Sequence, residues 1–166
     1  MADLSTIGKT KTGKTLYFLS LSRLSEWPTE LQVRSKYIRV FMACDARRLR
    51  TTQVRDFTSS VIQQGVVDFS VWGPNCCKGF HIPFVDALPA ETPNPKDDLS
   101  DLVTADCNQI PLRTSIRHFI MFGCASKKYQ RACKSLVFVS VGNSAWAKSM
   151  RRSLREFKGT IIEEYS

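Results

Sequence analysis

The chain has 166 residues, 43% of them hydrophobic, and 24 Lys and Arg against 15 Asp and Glu give it a formal charge of +9. That length and balance describe one soluble globular domain, with no internal repeat and no low-complexity tract. No run approaches the roughly 18 apolar residues of a membrane span, and the polar opening Met1 to Thr15 lacks the apolar stretch of a secretory signal, so a cytoplasmic, non-membrane protein is expected.

The charge is unevenly spread. Residues 1–50 carry ten Lys/Arg and four Asp/Glu, and 51–82 carry two of each. Residues 83–110 carry one Lys and six acids, whereas 111–158 carry eleven Lys/Arg and one Glu. Two basic blocks flank an acidic one.

In chain order, residues 1–15 read as a basic flexible tail. Within it, Gly8-Lys-Thr-Lys-Thr-Gly-Lys14-Thr15 spells the G-x-x-x-x-G-K-[ST] of a phosphate-binding loop. The spelling works only where the loop leaves a strand and opens a helix, whose amides then hold the phosphates. Only Leu4 and Ile7 are apolar before it and a strand-like run follows it, so no nucleotide cradle is expected.

A single α/β domain is expected over 16–158. Leu16 to Leu21 is a short apolar strand, and Tyr37 to Cys44 is a nearly continuous apolar run of the kind buried on both faces. Thr51 or Thr52 can cap a helix over about 52–64 with Val54, Phe57, Val61 and Ile62 inward, and Gly65 ends it. Val66 to Trp72 is the next strand, completing a βαβ unit with parallel strands. The prolines and acids of 83–111 predict a long acidic loop with one helical turn near Phe84 to Leu88. Then come a weak strand at 102–105, a helix at 114–125, a strand at 136–141 and a helix at 144–157, leaving 159–166 as a C-terminal tail. The fold class is a small Rossmann-like three-layer α/β sandwich, its sheet mainly parallel, with an extra N-terminal strand.

Open parallel sheets bind ligands at the carboxyl ends of their strands. That rule selects Asp45 with Arg47 and Arg48, then Trp72, Asn75 and Cys76, then Asp106, then Asn143 and Ser144. A carboxylate there can hold a ribose hydroxyl or act as a general base; it can also cap a turn. Cys76, Cys77, His81 and Cys107 lack the paired spacing of a zinc site, and a nucleophilic cysteine would need His81 or His118 beside it. No metal and no cofactor are expected, and all six cysteines are read as reduced thiols. On the last helix Lys148, Arg151, Arg152 and Arg155 fall at spacings of three and four, forming an outer basic stripe opposite Trp146, Met150, Leu154 and Phe157.

The order of these elements, with W-G-P-N-C at Trp72 to Cys76 and V-T-A-D-C at Val103 to Cys107, resembles an uncharacterised family of small bacterial Rossmann-like domains that carry a W-G-P-D-C turn. The family's later strand end reads like M-T-T-W-H followed by acids; here Thr104 matches, Cys107 stands where the histidine would be, and Ile110 and Arg113 lie near the expected acids. The resemblance implies the fold and no activity. Exchange of acids and histidine for neutral or basic groups favours binding over catalysis.

Three functions compete. The first is a non-enzymatic binding or adaptor module for an anionic partner, whether nucleotide, nucleic acid or acidic protein, in a bacterial defence or mobile-element context. The second is a nucleotide- or nucleoside-processing enzyme using Asp45 and Asp106. The third is an assembly subunit, a homodimer in which the N-terminal strand 16–21 pairs with another copy.

Overall fold

A computed structural model describes residues 3–91, 103–106, 110–122, 129 and 131–159. Among them, one six-stranded sheet contains β1 (Ser5–Lys9), β2 (Thr15–Leu21), β3 (Tyr37–Cys44), β4 (Val66–Trp72), β5 (Val103–Asp106) and β6 (Cys133–Val141). The helices are α1 (Thr51–Gln63), α2 (Ile82–Glu91), α3 (Leu112–Phe122) and α4 (Ser144–Phe157). The spatial order is β1-β2-β6-β3-β4-β5; β2, β6, β3, β4 and β5 run parallel, and β1 is antiparallel to β2. This is the three-layer, mainly parallel α/β architecture that the alternation of buried and amphipathic runs implies.

The central strands are apolar throughout because both of their faces are covered. In β3, Ile38, Val40, Met42 and Cys44 enter the core under α1 and α2, while Phe41 and Ala43 enter the core under α3 and α4. β6 alternates in the same way, sending Val137, Val139 and Val141 to the first core and Leu136 and Phe138 to the second. One charge interrupts the pattern. Arg39 is 1% exposed on the second face, where its Nε donates to Asp68 Oδ2 at 2.8 Å, its Nη2 donates to the Phe119 carbonyl at 2.6 Å, and its guanidinium lies 4.3 Å from the Phe119 ring centre. Burial pushes the Asp68 carboxyl up from its ordinary value, and Arg39 pulls against that rise.

Several expectations need correction. Residues 5–9 are not tail but strand β1, in register with β2 from Ser5 opposite Phe18 to Lys9 opposite Thr15, and the Gly159 N–H donates to the Lys9 carbonyl at 3.2 Å. The β2 ladder and Ile7, packed on the second core, supply what its weak local sequence does not. The Gly8 to Thr15 spelling therefore lies in a hairpin, where the Thr10 N–H donates to Lys14 O at 2.8 Å and Gly13 turns at φ +84°. Because β1 and β6 flank β2, the strand expected to pair with a second copy has both edges occupied.

The helical turn expected near Phe84 to Leu88 is part of a longer helix, which replaces the expected loop on either side of it as far as residue 91. A π-turn at Cys77–His81 runs directly into α2, so the helical backbone is already established where Pro83 enters it. The rest of the expected acidic loop, 92–102 and 107–109, lies outside the described residues, as does most of the 159–166 tail. Helix α1 is capped by Gln53 Oε1, which accepts from the Arg50 N–H at 2.9 Å, and not by Thr51 or Thr52, both already helical. The cysteines are not all thiols: Cys77 is disulfide-bonded to a residue outside those described, whereas Cys44, Cys76 and Cys133 are buried thiols. Spacing along a chain does not say which cysteines the topology brings together, and six reduced thiols no longer argue for a reducing compartment.

Candidate functional site

The strand ends selected from the sequence do converge. Parallel register sets Ala43 beside both Trp72 and Ser140, Cys44 beside Val141, and Trp72 beside Asp106. The chain leaves β3 toward α1 and leaves the adjacent β6 toward α4, on opposite faces, so the topological switch point falls between Asp45 and Gly142-Asn143.

The side chains at that point are largely committed to architecture. Asp45 accepts from the Arg47 backbone N–H at 3.1 Å, from Arg47 Nε at 3.0 Å and from Arg47 Nη2 at 2.6 Å. These Arg47 hydrogen bonds hold its carboxyl below the usual value, which makes it a poor general base. Arg48 is exposed beside it. Gly73 sits at φ +136°, where an added Cβ would lie 2.1 Å from the Cys44 carbonyl oxygen, so only glycine lets the turn close on β3. The Ala46 N–H donates to the Pro74 carbonyl at 2.9 Å, and Trp72 Nε1 donates to the Ile110 carbonyl at 2.8 Å. Cys76, expected to line the crevice, is 1% exposed inside the first core because the π-turn carries it inward. Asn75 is exposed at φ +56°, a conformation that asparagine tolerates. The W-G-P-N-C turn thus has a packing reason at nearly every position. Asn143 Oδ1 caps α4 by accepting from the Trp146 N–H at 3.0 Å, Ser144 is exposed next to it, and Trp146 packs edge-on against Trp72 at 5.2 Å. Asp106 ends β5 opposite Trp72; its backbone alone is described.

The basic stripe stands apart from this crevice. Lys148, Arg151, Arg152 and Arg155 are all exposed on α4, while Met150, Leu154 and Phe157 are buried beneath it. With Glu156 they line a surface depression of about 510 Å³. Arg151 also lies 4.7 Å over the ring centre of buried Phe18, so part of its role is to cover the core.

Helix α3 packs beside α4 and extends the face. A second depression, of about 540 Å³, is formed by Arg113, Arg117, His118, Met121 and Phe122 with Phe157 of α4. The two meet where Arg113 Nη2 pairs with Glu156 Oε2 at 2.9 Å. Arg113 and Arg117 are not among the site residues that the sequence pattern selects. The available signal was an aromatic, Phe122, on the polar face of an otherwise amphipathic helix.

No family model, curated protein or solved structure matches this chain. Among the described residues no group of three or more His, Cys, Asp or Glu could hold a metal ion, and no helix is long and apolar enough to cross a membrane.

Proposed function

We propose that this chain is a non-enzymatic binding module that holds a polyanion on the face formed by α3 and α4. One observation carries the reading: these two helices present Arg113, Arg117, Lys148, Arg151, Arg152 and Arg155 against Glu156, on a surface with two adjoining depressions. Like charges at spacings of three and four repel by a few tenths of a kcal/mol per pair, so a chain of anions that neutralises several at once gains by relieving them. The strand-end crevice is the second choice, since Asp45 is tied to Arg47 and Cys76 is enclosed.

The test is binding of heparin and of nucleic acid as salt is raised from about 50 to 200 mM, where several phosphate contacts predict a loss of at least about a hundredfold. Affinity that ignores both salt and charge reversal on α4 would remove this face from the function.

A further inference from the structure

We infer that the polyanion is a single-stranded nucleic acid, one of whose unpaired bases is seated in the α3 depression. The inference rests on the polyanion reading above and adds what charge cannot supply. Among the described residues, Phe122 is one of two large apolar side chains left exposed, at 50%. The His118 ring stands edge-on to it at 5.8 Å, and Arg117 Nε, 3.4 Å from Met121 Sδ, is held along the same helix face. The guanidinium of Arg113 lies 5.2 Å from the Phe157 ring centre on the other side of the depression. The exposed Phe122 ring, with His118 edge-on to it and with Arg113 and Arg117 lining the same depression, forms a surface on which any base can stack, and a concavity of about 540 Å³ has room for one.

A purely anionic chain such as heparin or polyglutamate has no use for that ring. A duplex keeps its bases stacked inside, whereas a single strand can swing one out onto Phe122. The flanking phosphates then fall on α4. From Lys148 to Arg155 the helix advances roughly 10 Å, the length over which a stacked strand carries about three phosphates.

Fluorescence anisotropy with a labelled oligothymidine of about 16 nucleotides tests this, with the matching duplex, heparin and polyglutamate as competitors. The oligothymidine is expected to bind more tightly than the duplex. Phe122→Ala is expected to weaken it by about tenfold while leaving heparin affinity unchanged, and Phe122→Tyr, which keeps the ring, to restore it. If Phe122→Ala leaves oligothymidine affinity unchanged, lowers heparin affinity equally, or if duplex or polyglutamate competes as well as the single strand, the inference is overturned and the polyanion reading stands. Heparin binding without oligothymidine binding would overturn the inference alone, and failure of the unsubstituted protein to bind both ligands would overturn both readings.

Discussion

On one face of the sheet, α1 and α2 cover a core in which Phe57 meets Trp27, Phe69 and Phe80 at ring separations of 5.1 to 5.7 Å, and Phe69 stacks on Phe84 at 5.2 Å. The outer surface of those helices carries no basic excess among the described side chains, with Arg55 against Asp56 and Asp86. On the other face, α3 and α4 cover a core that contains Arg39 paired with Asp68, and their outer surface is strongly basic. The first layer shows that this chain can cover its sheet without surplus charge. The basic excess of the second is therefore not a requirement of packing, and a use for it outside the fold is the economical explanation.

The largest expected effect probes the difference between the two cores. Asp68→Ala leaves the Arg39 guanidinium buried without its carboxylate, which is expected to cost about 3–5 kcal/mol in urea unfolding. Phe57→Ala in the opposite core should cost a similar amount by a different route, through the cavity it leaves. The double change Arg39→Met with Asp68→Leu separates the two routes, since replacing both partners by apolar groups should recover most of the loss. A cost below about 1 kcal/mol for Asp68→Ala would show that the buried guanidinium does not depend on its carboxylate.

The two outer surfaces are compared by charge reversal. Glu at Lys148, Arg152 and Arg155 is expected to reduce polyanion affinity by about a hundredfold or more, whereas Arg55→Glu on α1 should leave it unchanged. Both variants should keep stability within about 0.5 kcal/mol per substitution, because exposed charges contribute little. Arg151 is left out of the reversal because of its contact with Phe18. Equal losses from the two faces would make the binding a net-charge effect with no site.

These differences were legible in the sequence to different depths. The apolar runs of β3 and β6 and the periodicity of α4 are local signals, and the elements appear where those signals put them, with β6 beginning earlier, at Cys133. Strand β1 was hidden because its own residues are mostly polar and its support comes from pairing with β2 and from the end of α4, which is distant in the chain. Helix α2 was legible only as the turn near Phe84 to Leu88, because Pro83 and Pro89 read as breakers of anything longer. At the candidate sites, spacing located Asp45 at a strand end but could not show that Arg47 occupies it. The α4 stripe was readable from periodicity alone, whereas the α3 depression needs the neighbouring helix to exist.

The cysteines extend the comparison to pH. Cys44, in the core under α1, is pushed up to about 12 by burial, then by Asp45 and Cys76. Cys133 is pushed up to about 11 by burial, with the Arg39 and Lys14 charges pulling it back. Both folded values exceed the ordinary 9.0, so the stability these thiols contribute is present below pH 9 and lost as pH rises through 11 to 12. The urea midpoint should accordingly fall on the alkaline side of pH 9, and native-state alkylation should reach Cys133 before Cys44. Because Cys77 is disulfide-bonded, thiol counting in denaturant without reductant should return fewer than the six cysteines of the sequence.

The smallest expected effect concerns Asp45, which separates the strand-end crevice from the basic face. Its carboxyl is held low chiefly by the Arg47 side-chain hydrogen bonds, so its contribution to stability is present above its ordinary value of 3.8 and lost as pH falls through the depressed one. The pair is substantially exposed, at 67% for Arg47 and 37% for Asp45, so solvent screening keeps the contribution small. Asp45→Asn should flatten the acid limb of the stability profile below pH 4 and change little at pH 7, because the amide oxygen can still accept from the Arg47 N–H that closes the turn. Polyanion affinity should be unchanged or slightly higher, since a negative charge has been removed from a basic protein. A loss of affinity of tenfold or more on Asp45→Asn would mean that Asp45 contacts the partner through a hydrogen bond that needs its charge, and would move the functional site from the helical face to the switch point between β3 and β6.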